Sequence, residues 1–157
     1  MGIDPGIATT GWGLVEKQGN KFALVDFGTI TTPACDPHSA RLVELHEKLN
    51  QVIKKYSPAV VAVEELFFAK NVKTAIAVGQ ARGVILLTVK ENHLPLLEFT
   101  PLEVKQAITG FGRATKKQIQ NMVKILLGLK VIPRPDDAAD ALAIAICGAN
   151  SERMYQK

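Results

Sequence analysis

The sequence predicts an α/β fold, a five-stranded mixed sheet flanked by helices. Two observations lead there. Three β-rich runs follow one another in the first 31 residues. Two short apolar runs, at 60–63 and 94–99, then alternate with segments whose apolar residues recur at helical spacing. Consecutive strands followed by alternating strands and helices give a mixed sheet with helices on its faces.

Residues 1–4 form a short apolar strand ending at Asp4, and Pro5-Gly6 with the small residues up to Gly11 form a turn. Residues 12–16 and 22–31 read as strands split by a polar turn at 17–21 containing Gly19. Two prolines mark a loop over 32–37. Residues 38–56 carry Leu42, Leu45, Leu49, Val52, Ile53 and Tyr56 at helical spacing, and Ser57-Pro58 stops that helix. The run 60–63 is apolar throughout, as in a strand covered on both faces. Residues 72–91 read as a second helix, whose Gly79-Gln80-Ala81-Arg82-Gly83 permits close approach of another element. After the strand 94–99, Thr100 caps a short helix with Pro101 first and Glu103 closing a capping box. Gly110-Phe111-Gly112 breaks it. Thr115 caps the helix 116–127, and Pro135-Asp136 opens the last one, 136–149, which Gly148 ends or weakens. The order β-β-β-α-β-α-β-α-α-α is that of the ribonuclease H-like fold.

At 157 residues and 47% hydrophobic, the chain suits a single domain, 1–157. With 22% charged residues it reads as globular rather than disordered. The net charge of +4 is modest, but its distribution is not. Between Pro101 and Arg134 lie Lys105, Arg113, Lys116, Lys117, Lys124, Lys130 and Arg134, opposed only by Glu103. Cys35 and Cys147 have no metal-ligand spacing and read as free thiols. No signal peptide and no membrane-length apolar run is evident, so a cytoplasmic location without membrane contact is expected. His38 in a loop, His46 in a helix and His93 in a helix–strand turn read as surface residues.

Against this basic background stand four acids. Asp4 and Glu64 end the first and fourth strands, and Asp137 and Asp140 lie at i and i+3 on the last helix. Each has a bland alternative: a turn residue for Asp4, solvation of Glu64 or Glu65, helix capping for Asp136 or Asp137. Asp140 resists one, because a lone charge in an Ala-rich helix needs a partner. Carboxylates about 4 Å apart repel by roughly 4 kcal/mol at an effective dielectric of 20, and a hard cation reverses that sign. Acids from two strand ends and one helix face suit a pair of divalent ions holding a phosphate, one ion activating water and the other stabilising the leaving oxygen. An acidic pocket in a basic protein points to metal-dependent cutting of a polyanion.

These residues resemble the RuvC family of Holliday junction resolvases over nearly the whole chain. The motifs are Gly2-Ile3-Asp4-Pro5-Gly6 with Thr10-Gly11-Trp12-Gly13, then Val63-Glu64-Glu65-Leu66-Phe67-Phe68-Ala69-Lys70-Asn71, and Gly79-Gln80-Ala81-Arg82-Gly83. Val104-Lys105-Gln106 and the stretch from Asp137 to Ala145 complete the set. The resemblance implies a homodimeric endonuclease that nicks four-way DNA junctions symmetrically in recombination and repair. It implies Mg²⁺ or Mn²⁺, two ions per active site, and a branch-migration helicase as partner. The family's catalytic and metal-binding carboxylates fall on Asp4, Glu64, Asp137 and Asp140, leaving Glu65 and Asp136 outside the set. Its junction-probing aromatic falls on Phe67, and its DNA-holding lysines on Lys105 and Lys116. Arg113 and Lys117 are further candidates for backbone contacts. Lys116 at a helix start is poorly placed for the helix dipole, which favours a phosphate partner there. Three residues ahead of Asp4 make the first strand shorter than is usual in the family.

Two other readings compete. Ile3-Asp4-Pro5-Gly6 with Thr9-Thr10-Gly11 resembles the phosphate loop of sugar kinases and actin-like ATPases, which need two such domains. A catalytically silent nucleic-acid binder of the same fold would shift a junction without nicking it. For Phe67, stacking on an unpaired base is worth about 1–3 kcal/mol. Phe67→Ala is therefore expected to lower nicking of intact junctions more than of pre-opened ones. Equal losses on both substrates would remove that role.

Overall fold

Residues 1–66 and 72–151 are described by a computed structural model. The elements run β1 (Gly2–Asp4), β2 (Thr9–Gln18), β3 (Lys21–Thr31), α1 (His38–Tyr56), β4 (Val61–Glu64), α2 (Val72–Glu91), β5 (Leu96–Phe99), α3 (Pro101–Thr109), α4 (Lys116–Leu126) and α5 (Asp136–Ser151). The strands form one sheet in the order β3-β2-β1-β4-β5. β1, β2 and β3 are antiparallel neighbours, while β1, β4 and β5 run parallel. This is the mixed sheet expected from the sequence.

Side-chain alternation along the central strands divides the core in two. Ile3, Val61 and Val63 are fully buried and pack with Leu45 and Leu49 of α1 and Ile85 of α2. Ala62 and Leu97 belong to a second cluster with Val104 of α3, Val123 of α4 and Leu142 and Ile146 of α5. Asp4 has the parity of Gly2, and Glu64 that of Ala62. Both of those residues meet α5. Alternation alone therefore points the two strand-end carboxylates to the α5 face.

Helix α5 approaches the sheet through residues with almost no side chain. Ala138, Ala139, Ala141, Ala143 and Ala145 are all buried. A Cβ on Gly2 would overlap the backbone of Ala141 and Ala145, and one on Gly11 would overlap the carbonyl of Asp137. Gly11 is also the partner of Asp4 in the β1–β2 ladder. That glycine thus seats the start of α5 beside the end of β1. The short β1 is tied at its start, where the Met1 amino group donates to the Val60 carbonyl and the Ala62 N–H to the Met1 carbonyl, both at 2.8 Å.

Several boundaries differ from the sequence reading. β2 and β3 extend beyond 12–16 and 22–31 because their polar ends pair across the hairpin as far as Gln18 with Lys21. The turn shrinks to Gly19-Asn20, with Gly19 at φ 64°. His38 opens α1 rather than lying in a loop. His46 is half-buried, its ring 2.9 Å from the Thr88 hydroxyl. β4 is shifted by one residue to end on Glu64. β5 begins at Leu96 because the Leu94 N–H caps the Val89 carbonyl and Pro95 has no N–H. α4 stops at Leu126. Gly148 does not end α5, which continues to Ser151; its bare backbone packs on the Ala62 methyl. The predicted capping box forms at Thr100, and the predicted cap at Thr115 proves to be a capping box as well, closed by Gln118. Cys35 and Cys147 are free thiols.

Because Gly11 has no room for a methyl, Gly11→Ala is expected to destabilise the protein by about 1–3 kcal/mol, the usual range for overpacking. Urea unfolding checks this, and an unchanged midpoint would contradict the close packing of α5.

Candidate active site

The end of β1, the end of β4 and one face of α5 converge on a cavity of about 220 Å³. Asp4, Glu64 and Asp140 line it, together with Lys105 of α3 and Lys116 of α4. Asp137, one turn ahead of Asp140 on α5, stands near enough for its charge to act on Asp4. The four acids singled out in the sequence are thus brought to one place. Among the described residues no three acids are gathered tightly enough to chelate one ion as they stand. The Lys116 ammonium lies on Asp140 instead, at 2.8 Å.

The electrostatics are those of an under-neutralised anion cluster. Burial, reinforced by the charges of Glu64, Asp140 and Asp137, pushes the Asp4 carboxyl from 3.8 up to about 8. Burial and then Asp140 push Glu64 from 4.5 up to about 7, with Lys105 opposing. Burial raises Asp140 as well, against the pull of Lys116. A divalent cation among these oxygens would relieve what burial and mutual repulsion impose. The donor set is all carboxylate, the chemistry hard cations prefer, and so it fits Mg²⁺ or Mn²⁺.

Lys116 solves the problem posed by Asp140 in its apolar helix. Its ammonium also reaches Asp136 at 3.5 Å, and Asp136 pairs in turn with Arg134. Burial works against it, but Arg134 and Lys116 together hold the Asp136 carboxyl below its usual range. The sequence reading had left Asp136 unassigned and given Lys116 a phosphate partner; in this structure its partners are carboxylates. Glu65 is exposed, while Glu64 points into the cavity, which separates the two as expected.

A further residue went unremarked in the sequence beyond its motif. Arg82 of α2 donates from Nε to the Glu64 carbonyl at 3.1 Å and pairs with Glu98 of β5. It ties the Glu64 end of β4 to α2. The sequence signal was an arginine set between Ala81 and Gly83 in the middle of the helix. Arg113 lies outside the acidic cavity, in a second hollow, and Lys117 is exposed on the first turn of α4. Phe67 falls outside the described residues.

A sheet of ribonuclease H-like order with acids at adjacent strand ends and on a facing helix defines the class of metal-dependent nucleases. The family model for crossover junction endodeoxyribonuclease RuvC matches residues 1–148. The chain belongs to the RuvC family. It is 55% identical over 157 residues to the crossover junction endodeoxyribonuclease RuvC of Halothermothrix orenii, covering 100% of this chain and 95% of that one. It is 56% identical over 160 residues to that of Caldicellulosiruptor saccharolyticus, covering 100% and 96%. The RuvC of Thermus thermophilus, solved in complex with a Holliday junction substrate, superposes with a TM-score of 0.88 at 37% identity, over 98% of this chain and 94% of that one. The yeast mitochondrial resolvase Ydc2 shares the fold, with a TM-score of 0.68 at 16% identity over 93% of this chain and 75% of that one.

The raised carboxyls make a pH prediction. Asp4, with its pKa near 8 rather than 3.8, keeps a proton in the folded state that the unfolded chain has lost. The folded state therefore binds more protons between about pH 4 and 8, and stability falls as pH rises through that window. Metal-free protein is expected to lose melting temperature from pH 5 to 8, and Asp4→Asn to flatten that slope and melt higher at pH 8. Thermal scans without divalent ions check it; stability rising from pH 5 to 8 would contradict it.

Proposed function

We propose that residues 1–157 form a single nuclease domain that resolves Holliday junctions by paired symmetric nicks. The reading is carried by the convergence of Asp4, Glu64 and Asp140 with Lys105 and Lys116 in one cavity, in a chain of the RuvC family. Asp4, Glu64, Asp137 and Asp140 would hold the cations, which we take to be two Mg²⁺ per site, with Mn²⁺ as a substitute. When bound, such ions polarise the phosphoryl oxygens and activate water for in-line displacement. The protein's own residues do the rest. Lys105 and Lys116 present positive charge on the wall of the anionic cavity and hold the scissile phosphate there. The partly closed cavity limits bulk water, which strengthens each of these interactions.

The substrate is four-way junction DNA, and a two-fold junction needs two coordinated cuts. An isologous dimer supplies them. The surface that supports this lies on α2, where Ile76 and Leu87 are more than half exposed. Gln80 and Gly83 fall between them at helical spacing, and among the described residues a Cβ on Gly83 would meet nothing. The opposite face of α2, Ala81, Ile85 and Val89, packs on the sheet. Among the described residues, the expected close approach of another element at Gly83 is thus not made, and a second copy is the occupant we assign. A branch-migration helicase is the remaining partner this reading implies. Among the described residues no helix is long and apolar enough to cross a membrane, and we place the enzyme in the cytoplasm.

Asp137→Asn removes charge and little volume. It is expected to keep junction binding and lose metal-dependent cutting by at least about 100-fold, the scale of a lost electrostatic contribution to catalysis. Gel assays on a synthetic junction with and without Mg²⁺ test both halves. Cutting near the wild-type rate would refute the site, ATP consumption would favour a kinase-like chemistry, and binding without nicking by the wild type would leave a silent binder.

A further inference from the structure

A second hollow, of about 420 Å³, opens on the far side of the α3–α4 connection. Its volume lies within the range of about 300–1,000 Å³ typical of small-ligand sites. Phe111, Arg113, Gln118, Asn121 and Met122 line it. Phe111 is 75% exposed, an unfavourable placement for a ring that could bury well over 100 Å² of apolar surface.

The loop that carries this ring is built rather than slack. Gly110 ends α3 at φ 75°, in the left-handed region. The Thr109 hydroxyl, 2.8 Å from the Lys105 carbonyl and 3.0 Å from the Phe111 carbonyl, accepts the Phe111 N–H at 3.2 Å. The Ala114 N–H then donates to the Phe111 carbonyl, also at 3.2 Å. The backbone at 109–114 is therefore pinned while the ring faces outward.

The two hollows share one helix turn. Lys116 lies in the acidic cavity and Gln118, two residues on, lines the second. A helix is about 10–12 Å across. At about 3.4 Å of rise per base pair along one strand, that is roughly three nucleotides. Charge suits a polyanion: Arg113 lines the hollow, Lys117 is exposed one residue before Gln118, and among the described residues no acid lines it.

We infer that the Phe111–Arg113 hollow is a second nucleotide subsite, in which a base of the DNA strand flanking the scissile phosphate stacks on Phe111 while Arg113 meets its phosphate. The inference rests on the nuclease reading above. Its occupant is DNA, and a second copy of this chain on the same patch is the alternative outcome. Aromatic stacking tolerates any base, so the subsite holds the strand without reading its sequence.

The test is fluorescence anisotropy on a labelled four-way junction, with cutting measured alongside. If wild type neither binds nor cuts the junction, the nuclease reading fails and takes this inference with it. If wild type does both, Phe111→Ala is expected to bind about tenfold more weakly, and Phe111→Trp to bind within about twofold of wild type. The introduced indole should change its emission when junction is added, against the constant background of buried Trp12. Arg113→Ala should lower the slope of log affinity against log salt by about one phosphate contact. Phe111→Ala binding as wild type does, or indole emission indifferent to the junction, would overturn the subsite alone. Loss of self-association in Phe111→Ala by sedimentation, with DNA affinity unchanged, would overturn it in favour of a protein interface.

Discussion

The site depends on how closely α5 can lie against β1 and β2. Helices usually rest on sheets through a layer of branched side chains. Here that layer is missing where α5 crosses β1 and the start of β2: Ala141, Ala145 and the backbone of Asp137 lie directly on Gly2 and Gly11, while Leu142 and Ile146 pack on the sheet beside this crossing. The helix backbone is thereby lowered until its first turns reach the strand ends. Asp137 and Asp140 descend to the level of Asp4 and Glu64 for that reason. Any side chain inserted between would separate the helix carboxylates from the strand carboxylates.

Such proximity is unfavourable in the protein by itself. Four acids share one half-buried location, and three carboxyls respond by moving toward neutrality, Asp4 to about 8, Glu64 to about 7 and Asp140 upward as well. Lys116 relieves part of the strain by lying on Asp140, and Asp136 with Arg134 completes a chain of alternating charge around it. The lysine therefore has two physical roles in one position. It offsets part of the cluster's charge as it stands, and it lines the cavity in which we propose a phosphate is held. An arrangement that is electrostatically frustrated alone and relieved by divalent cations and a polyanion is a natural design for a metal-dependent nuclease.

Much of this was legible in the sequence because the signals were local. Strand-end acids, the capping box at Thr100, the cap at Thr115, and the i, i+3 pair on α5 each follow from spacing along the chain. What was not legible depends on distance in space. Nothing local says that Arg82 of α2 will grip the Glu64 carbonyl, or that Asp136 will pair with Lys116 twenty residues earlier. The ends of β2 and β3 were missed because polar residues at a hairpin tip look like turn until their ladder partners are known. Gly148 looked like a helix terminator, yet its bare backbone is what Ala62 packs against.

The central claim is that one cavity, built from β1, β4 and α5, exists to hold divalent cations. Anomalous diffraction from crystals soaked in Mn²⁺ tests it directly. The account predicts anomalous density bounded by Asp4, Glu64, Asp137 and Asp140, with the Lys116 ammonium withdrawn from Asp140. Density bound elsewhere on the molecule, with Lys116 still seated on Asp140, would contradict it.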